Sequence, residues 1–445
     1  MKLIRHMIPV ELGNGSRLLI NSLNGLMDEI DDSAYKIVAE WQKLDKIVPG
    51  DKSEVELYDN LLSRGYLVSN DEEEVAKKNK VVGALRNFHQ KNKGKYKHIT
   101  FIITYNCNFR CPYCYEGDKI AREEVMTNEM IDAALDVAGG ELESVGLFGG
   151  EPLMPSTRQA IEHLVSRTKD KPYNIITNGY YLVEYFDLLS QLNIEKIMVT
   201  LDGDEDTHNS KRYLADGGPT FQKIMQGIEK FLDGGIPICI RMNIDGGTLN
   251  ESKALRESLI NRFSKHEEML SFEISPMFHI GHKNEAMDIF QNLYKADLDY
   301  SGDDRQQRNT LSGRYSPILN SLTVGSKMMP VYSFCYAHSG STLLVDPYGD
   351  IFPCLVAVGN KELSVGSYFP EVVFKENSIY NRNIETIPKC SECVYSLLCG
   401  GGCPIGLDKY DDILRPVCHS IHKQIHVAMP MVYKMNNEAA KIGGE

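Results

Sequence analysis

ITYNCNFRCPYCYEG, residues 103–117, sets three cysteines in the pattern Cys107-x-x-x-Cys111-x-x-Cys114. It overlaps His98–Thr104, an apolar, β-branched run that reads as a buried strand. The cysteines therefore fall on the loop leaving the C-terminal end of a strand, where α/β barrels keep their active sites. Thiolates this close can wrap three irons of a cubane, leaving a four-iron cluster with one open iron. The spacing differs from the paired intervals of zinc sites and from the bacterial ferredoxin run, although three cysteines alone still allow zinc. Tyr113, between the last two, is expected to pack against the site.

Working outward, turn signals close a series of apolar runs in regular order. Gly149-Gly150-Glu151-Pro152 follows Ser144–Phe148, and Thr177-Asn178-Gly179 ends Tyr173–Thr177. Thr200-Leu201-Asp202-Gly203 ends Ile197–Leu201, and Arg241 lies on Ile238–Ile244. Each signal alone is an ordinary turn. Helical stretches alternate with these runs, at Met130–Ala138, Ala160–Val165, Val183–Leu192, Phe221–Leu232 and Leu255–Phe263, and a sixth strand reads as Phe272–Phe278. Six βα units fall short of a closed eightfold barrel, so the expected fold is α/β, a partial (β/α)6 barrel whose gap admits a peptide. A helix at about Glu285–Tyr300 and a polar loop, Ser301–Ser312, are expected next.

In this order, the three cysteines and the strand-end motifs resemble the radical S-adenosylmethionine (SAM) superfamily over about residues 98–280. The resemblance implies that the amino and carboxylate groups of SAM chelate the open iron. It implies that Gly149, Gly150, Glu151 and Pro152 hold the SAM amino group, and that Tyr113, Asn178, Thr200, Asp202 and Arg212 line the cofactor, with His208 in a similar family position. The family more often has Ser where this chain has Thr200; both offer a hydroxyl. Arg241 is the expected partner of the SAM carboxylate.

Seven further cysteines follow: Cys335, Cys354, Cys390, Cys393, Cys399, Cys403 and Cys418. Between the first two, Asp346-Pro347-Tyr348-Gly349-Asp350 separates Thr342–Val345 from Ile351–Phe352 and reads as a hairpin. The Gly-rich stretch Cys399–Cys403 lets backbone approach a cluster and donate N–H to its sulfurs. The pattern, with Gly349, resembles the seven-cysteine SPASM extension of radical SAM peptide and protein modifiers. The resemblance assigns Cys390, Cys393, Cys399 and Cys418 to one auxiliary cluster, and Cys335, Cys354 and Cys403 to another. Seven ligands leave the second one short, an open iron unless water, a histidine or a carboxylate closes it. The implied cofactors are SAM and three [4Fe-4S] clusters. The eleventh cysteine, Cys239, sits mid-strand and reads as a small buried hydrophobe.

Before the barrel, Arg17–Ser22 and Leu26–Ile30 flank Asn24-Gly25, a hairpin signal. Helices are expected at Ser33–Lys43, with Ile37, Val38 and Trp41 on one face, and from a capping box at Ser53–Glu56 to Arg64, with Val55, Tyr58 and Leu62 buried. Tyr66-Leu67-Val68 reads as a wing strand. The expected domains are a winged-helix-like peptide-recognition module (1–70), a charged, partly helical linker (71–97), the radical SAM partial barrel (98–300), a bridging region (301–334) and a cysteine-rich SPASM domain (335–445).

A net charge of −13 argues against nucleic acid and anionic membrane partners. DNA binding, the default for a winged helix, fits poorly with eight Lys and Arg against eleven Asp and Glu in residues 1–70. No apolar run spans a bilayer and no signal-peptide pattern opens the chain, so the expected location is cytoplasmic. Clustered cysteines in such a chain point to metal and not to disulfides.

The resemblance implies a maturase of a ribosomally made precursor peptide, whose leader adds as a strand to the N-terminal module. A reductase such as flavodoxin or ferredoxin would supply the electron. The open auxiliary iron favours a thioether product, as in sactipeptide or ranthipeptide maturases, because thiolate is its natural soft ligand. Carbon–carbon cross-linking and formylglycine-forming sulfatase maturation are the alternatives within the class. An iron–sulfur electron-transfer protein or DNA-binding sensor is the alternative outside it.

Overall fold

The computed structural model describes residues 1–117, 122–244, 249–276, 328–376, 379–406 and 412–418, with 425–426, 429–430 and 433. The chain opens with β1 (Lys2–Leu3), then the antiparallel meander β2 (Met7–Glu11), β3 (Arg17–Asn21) and β4 (Met27–Ile30). Helices α1 (Asp32–Trp41) and α2 (Lys52–Ser63) follow, and β5 (Leu67–Val68) pairs with β1. The Asn24-Gly25 hairpin forms as expected.

Helix α2 starts one residue before the expected box. Asp51 caps it by accepting from the Glu54 N–H at 2.9 Å, while Glu54 accepts from the Gly50 N–H at 2.7 Å. The box is centred two residues earlier than expected, and the face turned to the core also differs from the expected one. Leu61 is buried, with Leu57 and Tyr58 beside it, whereas Val55 and Leu62 are exposed.

Residues 71–92, expected as part of a linker, form one continuous helix, α3 (Asp71–Asn92). Asn70 caps it, Glu73 reaches back to the Ser69 N–H at 2.7 Å, and four acidic residues fill its first turn, where the helix dipole favours them. It acts as a strut. Glu74 is buried against His6 at 2.6 Å, and Arg86 grips Glu385 bidentately at 2.5 and 2.8 Å.

The meander is buried on both faces. Leu19 packs with Trp41 and Tyr66, while Leu18 and Ile20 pack with Phe334 and Leu398 of the cysteine-rich region. The Ser22 hydroxyl donates to Val394 O at 2.8 Å.

The central sheet begins with six parallel strands: β6 (His98–Ile102), β7 (Ser144–Phe148), β8 (Tyr173–Thr177), β9 (Ile194–Thr200), β10 (Ile238–Ile244) and β11 (Leu270–Pro276). Their near-continuous apolar sequences match a sheet covered by helices: α4 (Asn128–Ala138), α5 (Arg158–Thr168), α6 (Leu182–Leu189), α7 (Glu205–Lys211), α8 (Phe221–Asp233) and α9 (Leu249–Arg262). Of these only the short, polar α7 was not expected. The expected helix near residues 285–300 and loop 301–312 lie outside the described residues.

The expected hairpin, β12 (Thr342–Val345) and β13 (Asp350–Phe352), does more than carry cysteines. Strand β12 pairs parallel with β6, Leu343 opposite Ile99 and Val345 opposite Phe101, so the cysteine-rich region continues the barrel sheet. Strands β14 (Gly366–Ser367) and β15 (Val373–Phe374) extend it, and a one-turn helix, α10 (Ser396–Cys399), precedes the Gly-rich loop. No helix among the described residues is long and apolar enough to cross a membrane.

Asp346, in the turn after β12, clamps this junction. Its carboxylate accepts from the N–H groups of Tyr348 (3.0 Å) and Asp350 (2.9 Å) and from the hydroxyl of buried Tyr105 (2.9 Å), which begins the Cys107 loop. Tyr105→Phe should cost about 1–3 kcal/mol, the usual loss for a buried acceptor deprived of its donor. Chemical denaturation checks this, and an unchanged midpoint would show that the bond does not help to hold the hairpin to the barrel.

Candidate active site

The loop after β6 is held from below by the turn after β7. Gly150 N–H donates to Thr104 O at 3.0 Å and Glu151 N–H to Asn106 O at 2.8 Å. Gly149 has φ +132°, and a Cβ on either glycine would collide with the backbone carbonyls of residues 104–106. Only two glycines let the cysteine loop lie this close. The other side of the loop is zipped to residues 213–215, with Arg110 N–H on Tyr213 O at 2.9 Å and Ala215 N–H on Asn108 O at 2.8 Å.

Cys107, Cys111 and Cys114 come together on this loop. Burial pushes the Cys107 thiol up to about 12, helped by the charges of Glu151, Cys111 and Cys114. Burial likewise raises Cys114, to about 11, and Cys111, where the Arg212 guanidinium pulls the other way. Three sequestered thiols so close together ionise only if a cationic group binds them, which suits a metal centre. A zinc ion needs its ligands at one centre. Among the described residues no group of three or more His, Cys, Asp or Glu side chains forms a single-ion site.

Beside the thiols is a polar ring. The Tyr113 hydroxyl donates to Asp202 Oδ2 and accepts from Arg212 Nη1 at 2.8 Å; Asp202 Oδ1 accepts from the Asn243 N–H at 2.9 Å. Behind it, His208 Nδ1 accepts from the Asp202 N–H (3.3 Å), His208 Nε2 meets Thr220 Oγ1 (3.1 Å), and Thr220 donates to Arg212 O. Burial, then the Arg212 charge, pushes His208 down to about 3, so it is neutral and serves to orient.

Glu151 is fully buried, with its pKa raised by burial. Oε1 accepts from Thr177 Oγ1 (2.6 Å) and the Leu153 N–H (2.9 Å), and Oε2 from the Asn178 N–H (2.6 Å). Its carboxylate thus ties the ends of β7 and β8 together, a positioning task. Pro152 continues that turn, its carbonyl accepting from Thr157.

Asn178 Nδ2 donates to Asn108 Oδ1 at 2.8 Å, close to Cys107. Thr200 is buried at the end of β9. Arg241, on β10, donates to Ser275 Oγ at 2.7 Å. Three buried N–H groups around these strand ends, on Asn108, Arg212 and Arg241, have no acceptor among the described residues. Such orphaned donors suit an anionic ligand.

The C-terminal cysteines fall into two neighbourhoods. Burial, then Cys403 and Cys354, pushes Cys335 up to about 12. Burial, then Cys390, Cys418 and Cys393, pushes Cys399 up to about 12, and burial with Cys393 and Cys418 takes Cys390 to about 11. Cys239 is buried on β10 and belongs to neither.

Two nearby residues carried no signal in the sequence. Arg382 is 0% exposed and donates to the carbonyls of Gly401 (2.6 Å), Gly402 (3.3 Å), Ile413 and Arg415 (2.8 Å); its charge acts on Cys390, Cys403 and Cys399. His338 is buried beside Cys335, and burial, then Arg382, pushes it down to about 3.

Residues 101–257 match the family described as the radical SAM superfamily. Over most of its length the chain is similar to the radical SAM cyclopropyl synthase TigE of Paramaledivibacter caminithermalis, 21% identical across 93% of this chain and 91% of TigE. A cysteine-type anaerobic sulfatase-maturating enzyme of Clostridium perfringens is 24% identical across 74% of this chain and 95% of that enzyme. Among solved structures, Streptococcus suis SuiB bound to its precursor peptide SuiA superposes with a TM-score of 0.56 at 14% identity, covering 94% of this chain and 99% of SuiB. SuiB bound to S-adenosylmethionine gives 0.55. At that identity the likeness is one of fold. The family match spans β6 to α9, and with it the cysteine loop, the Gly149-Gly150 turn and the Tyr113–Asp202–Arg212 ring: the chain carries a radical SAM domain and is an enzyme.

Proposed function

We propose that this enzyme modifies a ribosomally made precursor peptide by abstracting a hydrogen atom from an unactivated carbon. The observation that carries the reading is the joining of two sites in one sheet. Strand β12 pairs parallel with β6, so its turn Asp346–Asp350 lies beside the Cys107 loop while Cys335 and Cys354 bracket the same hairpin at its other end. The SuiB structure with its bound precursor supports a peptide as substrate.

Cys107, Cys111 and Cys114 would hold the first [4Fe-4S] cluster, Cys390, Cys393, Cys399 and Cys418 a second, and Cys335, Cys354 and Cys403 a third. The mutual influence of the thiols within each set supports this grouping. When bound, the first cluster supplies the electron that cleaves SAM to methionine and a 5′-deoxyadenosyl radical, while the other two serve substrate binding or electron acceptance.

The chain's own groups hold and orient. Glu151 fixes the Gly149-Gly150 backbone against the cysteine loop, where that backbone can accept the SAM amino group. The unpaired donors of Arg212 and Arg241 suit the SAM carboxylate. The Tyr113 ring and its Asp202–Arg212 brace wall off the loop from water, which protects a reactive intermediate.

The product we propose is an intrapeptide thioether. A set of three cysteines leaves one ligand position for a thiolate, which a peptide cysteine can take. A second reading, carbon–carbon bond formation, is favoured by the similarity to a cyclopropyl synthase over most of the chain.

Leader recognition falls to the meander, with α3 as its third helix, which extends the module to residue 92. Strand β3 is central, and β4, with Glu29 exposed, offers the edge for strand addition. Removing residues 1–70 outright would uncover Phe334 and Leu398, so the test is made on the whole chain.

Two outcomes follow. Anaerobically reconstituted protein should hold about twelve irons, four per cluster, and Cys107, Cys111 and Cys114 changed together to Ala should lose about a third of them with all SAM cleavage. Zinc filling the sites in anaerobically prepared protein would refute the assignment. Adding precursor peptide should slow amide hydrogen exchange in β4 and α3. Unchanged exchange there would remove the recognition role.

A further inference from the structure

Arg382 holds the stretch of chain that joins the two C-terminal cysteine sets. It follows one 3-10 turn, Ile379–Asn381, and is fully buried. Nη2 donates to Gly401 O at 2.6 Å, and Nε donates to Gly402 O at 3.3 Å. Both glycines lie between Cys399, in one set, and Cys403, in the other. Nη1 donates to Ile413 O and, at 2.8 Å, to Arg415 O, on the segment that leads to Cys418. One guanidinium thus gathers the tether between the two sets and the approach to the last cysteine.

Those carbonyls satisfy the donors but do not cancel the charge. No carboxylate is hydrogen-bonded to Arg382 among the described residues. A buried cation without a counter-ion is costly. Burial pulls its pKa down, and against that act the charges of Cys390, Cys403 and Cys399, in that order, and then Asp412. Protonated thiols carry no charge, and burial favours that form at Cys390 and Cys399. The cysteines can answer the guanidinium only as thiolates, which in so sequestered a site means with metal bound. A four-iron core wrapped by thiolates is a net anion, and each electron it takes up adds one negative charge.

We propose that Arg382 is the counter-charge shared by the two auxiliary clusters and that it raises the reduction potential of both. This rests on the assignment of clusters to the two C-terminal cysteine sets. A fixed cation in a dry site favours the more negative, reduced state of each cluster. Arg382 meets no substrate and acts through the clusters, as a positioning residue.

The test is a redox titration, read by electron paramagnetic resonance, of the reconstituted full chain with Cys107, Cys111 and Cys114 changed to Ala, so that only the auxiliary clusters report. That protein should hold about eight irons. About four, or zinc in their place, would sink the cluster assignment itself and the role of Arg382 with it. Adding Arg382→Gln should lower both midpoints, by roughly tenfold in each reduction equilibrium, or about 59 mV for one electron. Arg382→Lys keeps the charge and loses the planar fork, so it should stay near the original potentials. Unchanged midpoints in the Gln variant overturn the proposal, and so does a shift confined to one cluster. A Lys variant that shifts as far as the Gln variant, or loses iron that the Gln variant keeps, overturns it too, because the fork and not the charge would then be at work. Should the Gln variant fail to hold its irons, the Lys variant decides. Full loading at near-original potentials supports the shared counter-charge. Shifted potentials, or loss of iron in both variants, refute it.

Discussion

If ten thiols hold three clusters, as proposed, they must be gathered into three groups inside one chain without stranding their charge, and much of the architecture answers to that constraint. Burial is the largest influence on Cys107, Cys335 and Cys399, and neighbouring thiols add to it. Arginines stand where the charge would collect. Arg212 lies beside Cys111 and is braced by Tyr113, Asp202 and the neutral His208. Arg382 is buried among backbone carbonyls, so its charge is left to act on cysteines of both C-terminal sets. A charge so placed is one of the levers by which a protein sets the potential of an iron–sulfur centre.

The same constraint explains why the modules are not beads on a string. A cysteine-rich region with little regular structure cannot bury enough apolar surface by itself. Here it borrows Leu18, Ile20 and Val10 from the N-terminal meander, and its hairpin joins the barrel sheet beside β6. Helix α3 adds the His6–Glu74 and Arg86–Glu385 pairs across the junction. The consequence for function is geometric: a peptide held at the N-terminal sheet would share one continuous scaffold with both the barrel mouth and the C-terminal thiols.

How legible this was depends on the range of the interactions involved. Strands β7, β8 and β10 end where their apolar runs end, because a strand buried on both faces needs nothing but apolar residues. The loop cysteines and glycines were legible because their spacing is itself the chemistry. Residues 71–97 read as a charged, partly helical linker, and the extent of helix α3 was hidden because its charges outnumber Val81, Val82 and Leu85, though Ser69, Asn70 and Glu73 spelled a cap. The α2 stripe turned on which of two overlapping apolar faces meets the core: Leu57, Tyr58 and Leu61 do, and Val55 and Leu62 lie in solvent. The pairing of β12 with β6, the burial of Arg382 and the placing of His338 arise from contacts far apart in the chain, for which local pattern carries no signal.

The central claim is that hydrogen is taken from a peptide, and isotope transfer tests it most directly. The reconstituted enzyme would be given SAM, reductant and a precursor peptide deuterated at all its α- and side-chain carbons, and the 5′-deoxyadenosine formed would be weighed by mass spectrometry. The account predicts deuterium in the 5′-deoxyadenosine. Turnover of SAM that leaves the nucleoside free of deuterium and the peptide unchanged would contradict it.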